Sequence, residues 1–261
     1  MNKYFIFFSF ILIIFCNENK QKDQNKKVIN EKGTKTNDQQ RIVSLCQQFE
    51  ALTIAIRDNK IEFKAALKEI QKQIPKIKLE YYKLGGIDWK KDSWFFPIQG
   101  YNSFAIGGKN GNGYTEKGYT FFDGNKHGGH PAHDIFIHDN NQDSKDDKTN
   151  NYVNVLSFSG GIIVATEKNW DTSSQLRGGK YIWVFDPYTN SLFYYAHNNK
   201  VLVESGQIIK PGQHIARVGR SGLNAFKKRS PTHLHFSQFK LDNDFYPKPI
   251  DPYKDLLIAK R

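Results

Sequence analysis

YIWVFDP (181–187) and SLFYYAH (191–197) flank the turn Pro187-Tyr188-Thr189-Asn190. Two short aromatic and β-branched runs joined this way read as a β-hairpin. A lone hairpin is marginal in water, so this one needs further strands and a covered face. The rest of the second half supplies them. NVLSFSGGIIVATE (154–167) holds two apolar runs around Gly160-Gly161, and HLHFSQFKL (233–241) alternates. In VESGQIIKPGQHIARVGRSG (203–222), Gly206, Gly212, Gly219 and Gly222 punctuate short apolar stretches, as in tight meanders. From Trp94 onward the chain reads as β. The fold class expected is mainly β (α+β), with an antiparallel, barrel-like sheet.

The first third follows a different period. Ile42, Leu45, Phe49, Leu52 and Ile56 recur at helical spacing, then Phe63, Leu67, Ile70 and Ile74. Asp58-Asn59 with Glu62 reads as a capping break, and Pro75 as the end or kink of the second helix. The spacing therefore predicts a helical hairpin over 41–85, its apolar stripe packed on a domain spanning 86–261. Residues 17–40 are polar with almost nothing to bury, which predicts a disordered tether. Ahead of them, Lys3 precedes the apolar run YFIFFSFILIIF (4–15), and Cys16 follows it. That run is short of the ~20 apolar residues that span a bilayer. Segment 1–16 resembles a bacterial lipoprotein signal with Ile13-Ile14-Phe15-Cys16 as its lipobox, although Phe15 stands where a small residue is usual. The resemblance implies lipidation of Cys16, export, and anchoring to a membrane in the periplasm or on the cell surface. A plain secretory signal is the alternative. With Cys16 acylated, Cys46 has no partner, so no disulfide framework is expected.

The formal charge is +12. Such a surface suits an anionic partner, either acidic lipid or a wall polymer. The lysines are scattered, and no Arg-rich helix or RNA-binding signature is present, so nucleic acid is not an expected partner.

The chemistry concentrates in GGHPAHDIFIHDNNQD (128–143) and in His233-Leu234-His235. On a strand, His-Leu-His places both imidazoles on one face and Leu234 on the other. His130 and Asp134 have the spacing H-x-x-x-D. Pro131 and Ile135-Phe136-Ile137 argue against a helix there, and four straight strand steps span about 13 Å, too far for one metal ion. If both bind one ion, the chain must bend at His130-Pro131. His133 has the opposite parity to Asp134 and stays out of the site. His127 and His138 read as surface or groove residues, and His214 as a surface residue in a turn. Asp139, Asn141 and Asp143 resemble half of a calcium loop, with Ser144 where glycine belongs and Asn150 where the bidentate glutamate belongs.

His197 closes the aromatic strand, and Gly219-Arg220-Ser221-Gly222 closes the glycine-punctuated stretch. With Trp94-Phe95-Phe96-Pro97 opening the domain, these pieces in this order resemble the lysostaphin/LytM-type zinc metalloendopeptidases of bacterial cell walls. The resemblance covers about residues 94 to 240. It implies one zinc ion held by His130, Asp134 and His235, with His197 and His233 as the catalytic histidines. It also implies peptidoglycan peptides as substrate, cleaved at their cross-links through a zinc-activated water. Three protein ligands leave the fourth position that catalytic zinc keeps open. Ligand histidines bind when neutral, so activity should fall in mild acid. The alternative is a non-catalytic family member that binds wall material or regulates another hydrolase. Such members lose ligands, whereas all five positions are present here. An extended substrate groove is expected beside the glycine-rich loops 106–118 and 124–129.

Overall fold

The computed structural model describes residues 37–126 and 128–261. Cys16, the lipobox, most of the expected tether and His127 lie outside the described residues. The chain divides into two compact units, Met1–Arg41 and Ile42–Arg261. Residues 37–40, the end of the expected tether, are helical.

The larger unit is built on an antiparallel sheet. Its strands are β1 (His133–Phe136), β5 (Gly161–Glu167), β6 (Tyr181–Asp186), β7 (Ser191–Ala196), β9 (Ile208–Ile209), β11 (His233–Leu241) and β12 (Pro247–Ile250). Their order is β1-β11-β7-β6-β5-β9, with β12 also paired to β11. The β6–β7 hairpin turns at Pro187–Asn190 as its sequence requires, with Asp186 opposite Ser191 and Asn190 at φ 51°. A second sheet, in the order β4-β10-β8, joins β4 (Asn154–Leu156), β8 (Lys200–Val201) and β10 (His214–Arg217). A two-stranded ribbon pairs β2 (Lys145–Asp146) with β3 (Asn151–Tyr152). Near the C-terminus, α3 (Tyr253–Ile258) precedes a parallel bridge from Lys260 to Phe95.

Both faces of the main sheet are covered, which explains why its strands are apolar on both sides. On one face Leu234, Phe236, Phe193, Tyr195, Ile182, Val184 and Ile163 join a core that includes Trp94 and Phe158. On the other, Phe239, Leu241, Leu192, Phe185, Ile162 and Val164 pack with Ile42, Phe49, Ile56, Ile70, Ile74 and Tyr81 from two helices. These are α1, which is helical through residue 57, and α2 (Phe63–Lys83). Thus the helices cover the face that carries positions 233, 235, 237, 239 and 241.

Pro75 neither ends α2 nor splits it. The helix continues for two further turns to Lys83. Burial of Ile74, Ile77 and Tyr81 along one stripe holds the segment helical around a proline that is itself exposed.

Candidate active site

Strands β1 and β11 pair antiparallel with Asp134 opposite His235. Directly opposed residues share a face, so the carboxylate meets the imidazole across the ladder. His235 Nδ1 lies 3.0 Å from Asp134 Oδ1. His130 reaches the same oxygen by a bend. Gly129 has φ 66°, and the N–H of Ala132 donates to the carbonyl of His130 at 2.8 Å, closing a tight turn over Pro131. His130 Nε2 then stands 3.3 Å from Asp134 Oδ1. One ligand atom from each of His130, Asp134 and His235 lies within 4.8 Å of the others.

Two more imidazoles border this group. The ring of His197 is 4.8 Å from that of His233 and 5.4 Å from that of His235. His233 Nε2 is 3.7 Å from Asp134 Oδ1. Main-chain carbonyls set the tautomers. His130 Nδ1 donates to Gly113 O at 3.0 Å, His197 Nδ1 to Ser221 O at 2.8 Å, and His233 Nδ1 to Pro231 O at 2.7 Å. A carbonyl only accepts, so in each ring Nδ1 carries a proton, and the neutral form of each ring has its lone pair on Nε2. His197 itself sits at φ 66°, just past the end of β7, and its N–H donates to Gly178 O at 2.9 Å. Gly222 lies tight against it: a Cβ there would come within 2.3 Å of Arg177 O and 2.9 Å of His197 Nδ1. The G-R-S-G stretch thus acts by orienting His197.

Burial and charge pull these groups apart. Desolvation opposes the charge of Asp134, yet hydrogen bonds from His130 and His235 hold its carboxyl well below the usual range. The two flanking histidines shift in opposite directions. The bond to Asp134 raises His130, whereas deeper burial outweighs the same partner and lowers His235. Burial, then the neighbouring His233 and His235, lower His197 well below an ordinary histidine.

Other polar groups of the region do different work. His133 is fully buried on the opposite face, with Nε2 2.7 Å from Asp251. The ring of His138 lies 5.7 Å from that of Tyr101, tilted by 37°, and does not join the cluster. His214 opens strand β10 rather than sitting in a turn, and its Nε2 bonds Ala216 O. The structure gives the calcium reading no support. Asp139 is buried and accepts from Asp143 N, Ser144 N and Thr232 Oγ1. Asn141 accepts from Asp143 N, and Asp143 from Lys145 N. These oxygens are turned onto main-chain N–H groups, and the loop braces Thr232 beside His233.

A cavity of about 320 Å³ opens over the cluster. Gly124, Asn125 and Gly129 line it, as expected of loop 124–129. Loop 106–118 instead buttresses His130, through Gly113 O and the Thr115–His130 bridge. Sequence reasoning missed those orienting carbonyls, and also Thr53, Ile56 and Arg57 of α1 on the cavity wall. Nothing local to either marks them.

Residues 142–252 match Peptidase family M23. The chain carries a peptidase family M23 domain. The matched part of that M23 domain holds His197, His233 and His235; just before it, β1 adds Asp134 and the turn leading into β1 adds His130. An L-Ala--D-Glu endopeptidase of Bacillus subtilis (strain 168) is 37% identical over 88 residues, 32% of this chain and 26% of that protein. A lipoprotein NlpD/LppB homolog of Pseudomonas aeruginosa is 32% identical over 102 residues, 39% of this chain and 29% of that protein. The chain therefore aligns with under a third of either relative's length. Lysostaphin from Staphylococcus simulans superposes with TM-score 0.34 at 25% identity, covering 49% of this chain and 43% of that one.

Proposed function

We propose that this M23 chain is a zinc-dependent endopeptidase hydrolysing peptide cross-links of bacterial peptidoglycan, exported and held at a membrane by a lipid on Cys16. The observation that carries the reading is the convergence of His130, Asp134 and His235 on one point, bordered by His197 and His233. The donor set fits zinc: two imidazole nitrogens and one carboxylate oxygen, with the His130 tautomer fixed by Gly113. Bound there, zinc would supply a Lewis acid and a water of lowered pKa. His197 and His233, with Nε2 available, are placed to hold a proton or donate to an oxygen that gains charge. Asp134 stays ionised, which keeps a negative ligand in the set. The name of the Pseudomonas relative accords with the lipoprotein reading, and that of the Bacillus relative with a peptidase acting on wall peptides.

The test uses purified peptidoglycan, zinc content by mass spectrometry, and release of new peptide termini. The wild type should bind one zinc and release termini. His130→Ala should lose both. His233→Ala should keep zinc and lose cleavage by about 100-fold or more, the usual scale for one acid–base group. A zinc-loaded wild type that releases no termini would leave the non-catalytic, wall-binding reading in its place.

A further inference from the structure

Beside the histidine cluster, the sheet face that floors the cavity carries two hydroxyls. Ser237 follows His235 by two positions on β11, so it shares the face of His235 about 7 Å along the strand. It is only 1% exposed, and it lines the cavity. Across the ladder Ser237 stands opposite Tyr194 of β7, and Tyr194 opposite Trp183 of β6, both of which also line the cavity. The ring of Tyr194 is 6.1 Å from that of His235 and 4.4 Å from that of Trp183. Its hydroxyl lies against Gly178, where a Cβ would come within 2.0 Å of the oxygen. Gly178 O takes the N–H of His197, so this hydroxyl ends next to the segment that holds His197.

Among the described residues, neither the Ser237 nor the Tyr194 hydroxyl has a hydrogen-bond partner. Burial raises the Tyr194 hydroxyl well above its ordinary value, so it stays a donor. The charged groups around the cavity are already engaged. Asp134 is bonded within the cluster, Arg57 pairs with Asp58 and Glu167, and Arg177 has a partner of its own. The floor is therefore selective by charge and by polarity. A carboxylate or an ammonium set down on it would lose water and gain no counter-ion. An alkyl group would strip water from two hydroxyls and leave both unmet. An amide offers its carbonyl to the donors and its N–H to Ser237 Oγ, and its flat face suits the Trp183 ring.

We propose that this floor is a binding subsite for a neutral amide of the substrate peptide, held by the hydroxyls of Ser237 and Tyr194 over the ring of Trp183. The subsite rests on the endopeptidase reading. The amide has two sources, a carboxamide side chain or a peptide group of the main chain. Ser237 lies about 7 Å from His235, so the amide belongs to a residue within about two positions of the bond at the cluster.

The test uses the full chain and synthetic wall-type peptides of equal length. The parent carries one glutamine. Two versions place glutamate or norleucine there, and a further set replaces one main-chain amide at a time with a trans-alkene of the same shape. Binding is read by calorimetry with and without zinc, and release of new termini is read separately. Either the norleucine version or one alkene should bind about tenfold more weakly than the parent, and which one does identifies the source. Ser237→Ala and Tyr194→Phe should each weaken binding of the parent by roughly three- to tenfold. Neither should weaken binding of the analogue that lacks the recognised amide, whereas a merely structural role would weaken both alike. A wild type that binds every peptide equally, or none, overturns the proposal. So does tighter binding of the glutamate version, or a loss in the variants that is the same for parent and analogue. The wild-type series decides even if a variant folds poorly. Cleavage with equal binding removes the subsite and keeps the endopeptidase reading. Amide-dependent binding without cleavage removes the endopeptidase reading and leaves the subsite standing.

Discussion

At the scale of single residues, the site is aimed by main chain more than by side chains. The carbonyls of Gly113, Pro231 and Ser221 each take a histidine Nδ1–H, and all three lie in loops. Any residue type offers a carbonyl, so no side-chain pattern announces them. The four histidines and the aspartate are chemically distinctive, which is why H-x-x-x-D and H-x-H are legible while their supports are not. A second residue-scale feature is testable through stability. Asp186 is buried at the β6–β7 turn, accepting from Tyr188 N and Thr189 Oγ1, and burial raises its carboxyl to about 6. Between the ordinary 3.8 and about 6 the folded chain holds a proton that the unfolded chain has released. Stability from this group is therefore full below 3.8 and falls as pH rises through 6. Asp186→Asn cannot ionise. Relative to wild type it should gain on the order of 2 kcal/mol between pH 4.5 and 7.5, in urea titrations at both pH values. A difference that is flat with pH would show that the turn stabilises the carboxylate as well as the acid.

At the scale of elements, α2 carries a defect it does not need. Pro75 lies mid-helix, lacks the N–H that would bond Gln71 O, and is exposed. Pro75→Ala restores a donor without touching the core. An interior proline costs about 3 kcal/mol, and loss of its stiffness in the unfolded chain returns up to about 1. The variant should melt about 4–8 °C higher. An unchanged melting temperature would mean that the helix already bends to relieve the clash. The same helix shows where element reading stopped. Period 3.6 found α2 and period 2 found β11 over His233–Leu241, because both patterns persist for many residues. Strands β8 and β9 are two residues each, too short to show a period. Pro75 reads as an end or a kink because proline outweighs local propensity. Here the buried stripe of Ile70, Ile74, Ile77 and Tyr81 outweighs proline.

At the scale of the molecule, the question is whether the helices are a removable cover or a part of the fold. A cover that came away would need a sheet face able to meet water. That face carries Ile162, Val164, Phe185, Leu192, Phe239 and Leu241, all buried with residues of α1 and α2. Exposing a side chain of this size costs roughly 1.5–3 kcal/mol, so together they approach or exceed the whole stability of an ordinary domain, about 5–15 kcal/mol. Arg57 adds a tie from α1 to Glu167 of β5 and Tyr181 of β6. Helix α1 also walls the cavity, so the sheet's core and the candidate active site share one cover. A chain beginning at residue 86 should accordingly lose cooperative melting and near-ultraviolet circular dichroism, and should bind dyes that seek exposed apolar surface. If it instead melts cooperatively and cleaves peptidoglycan faster than the full chain, α1 and α2 act as a displaceable block. The apolar face beneath them would then need another partner, and the cavity would have lost its α1 wall.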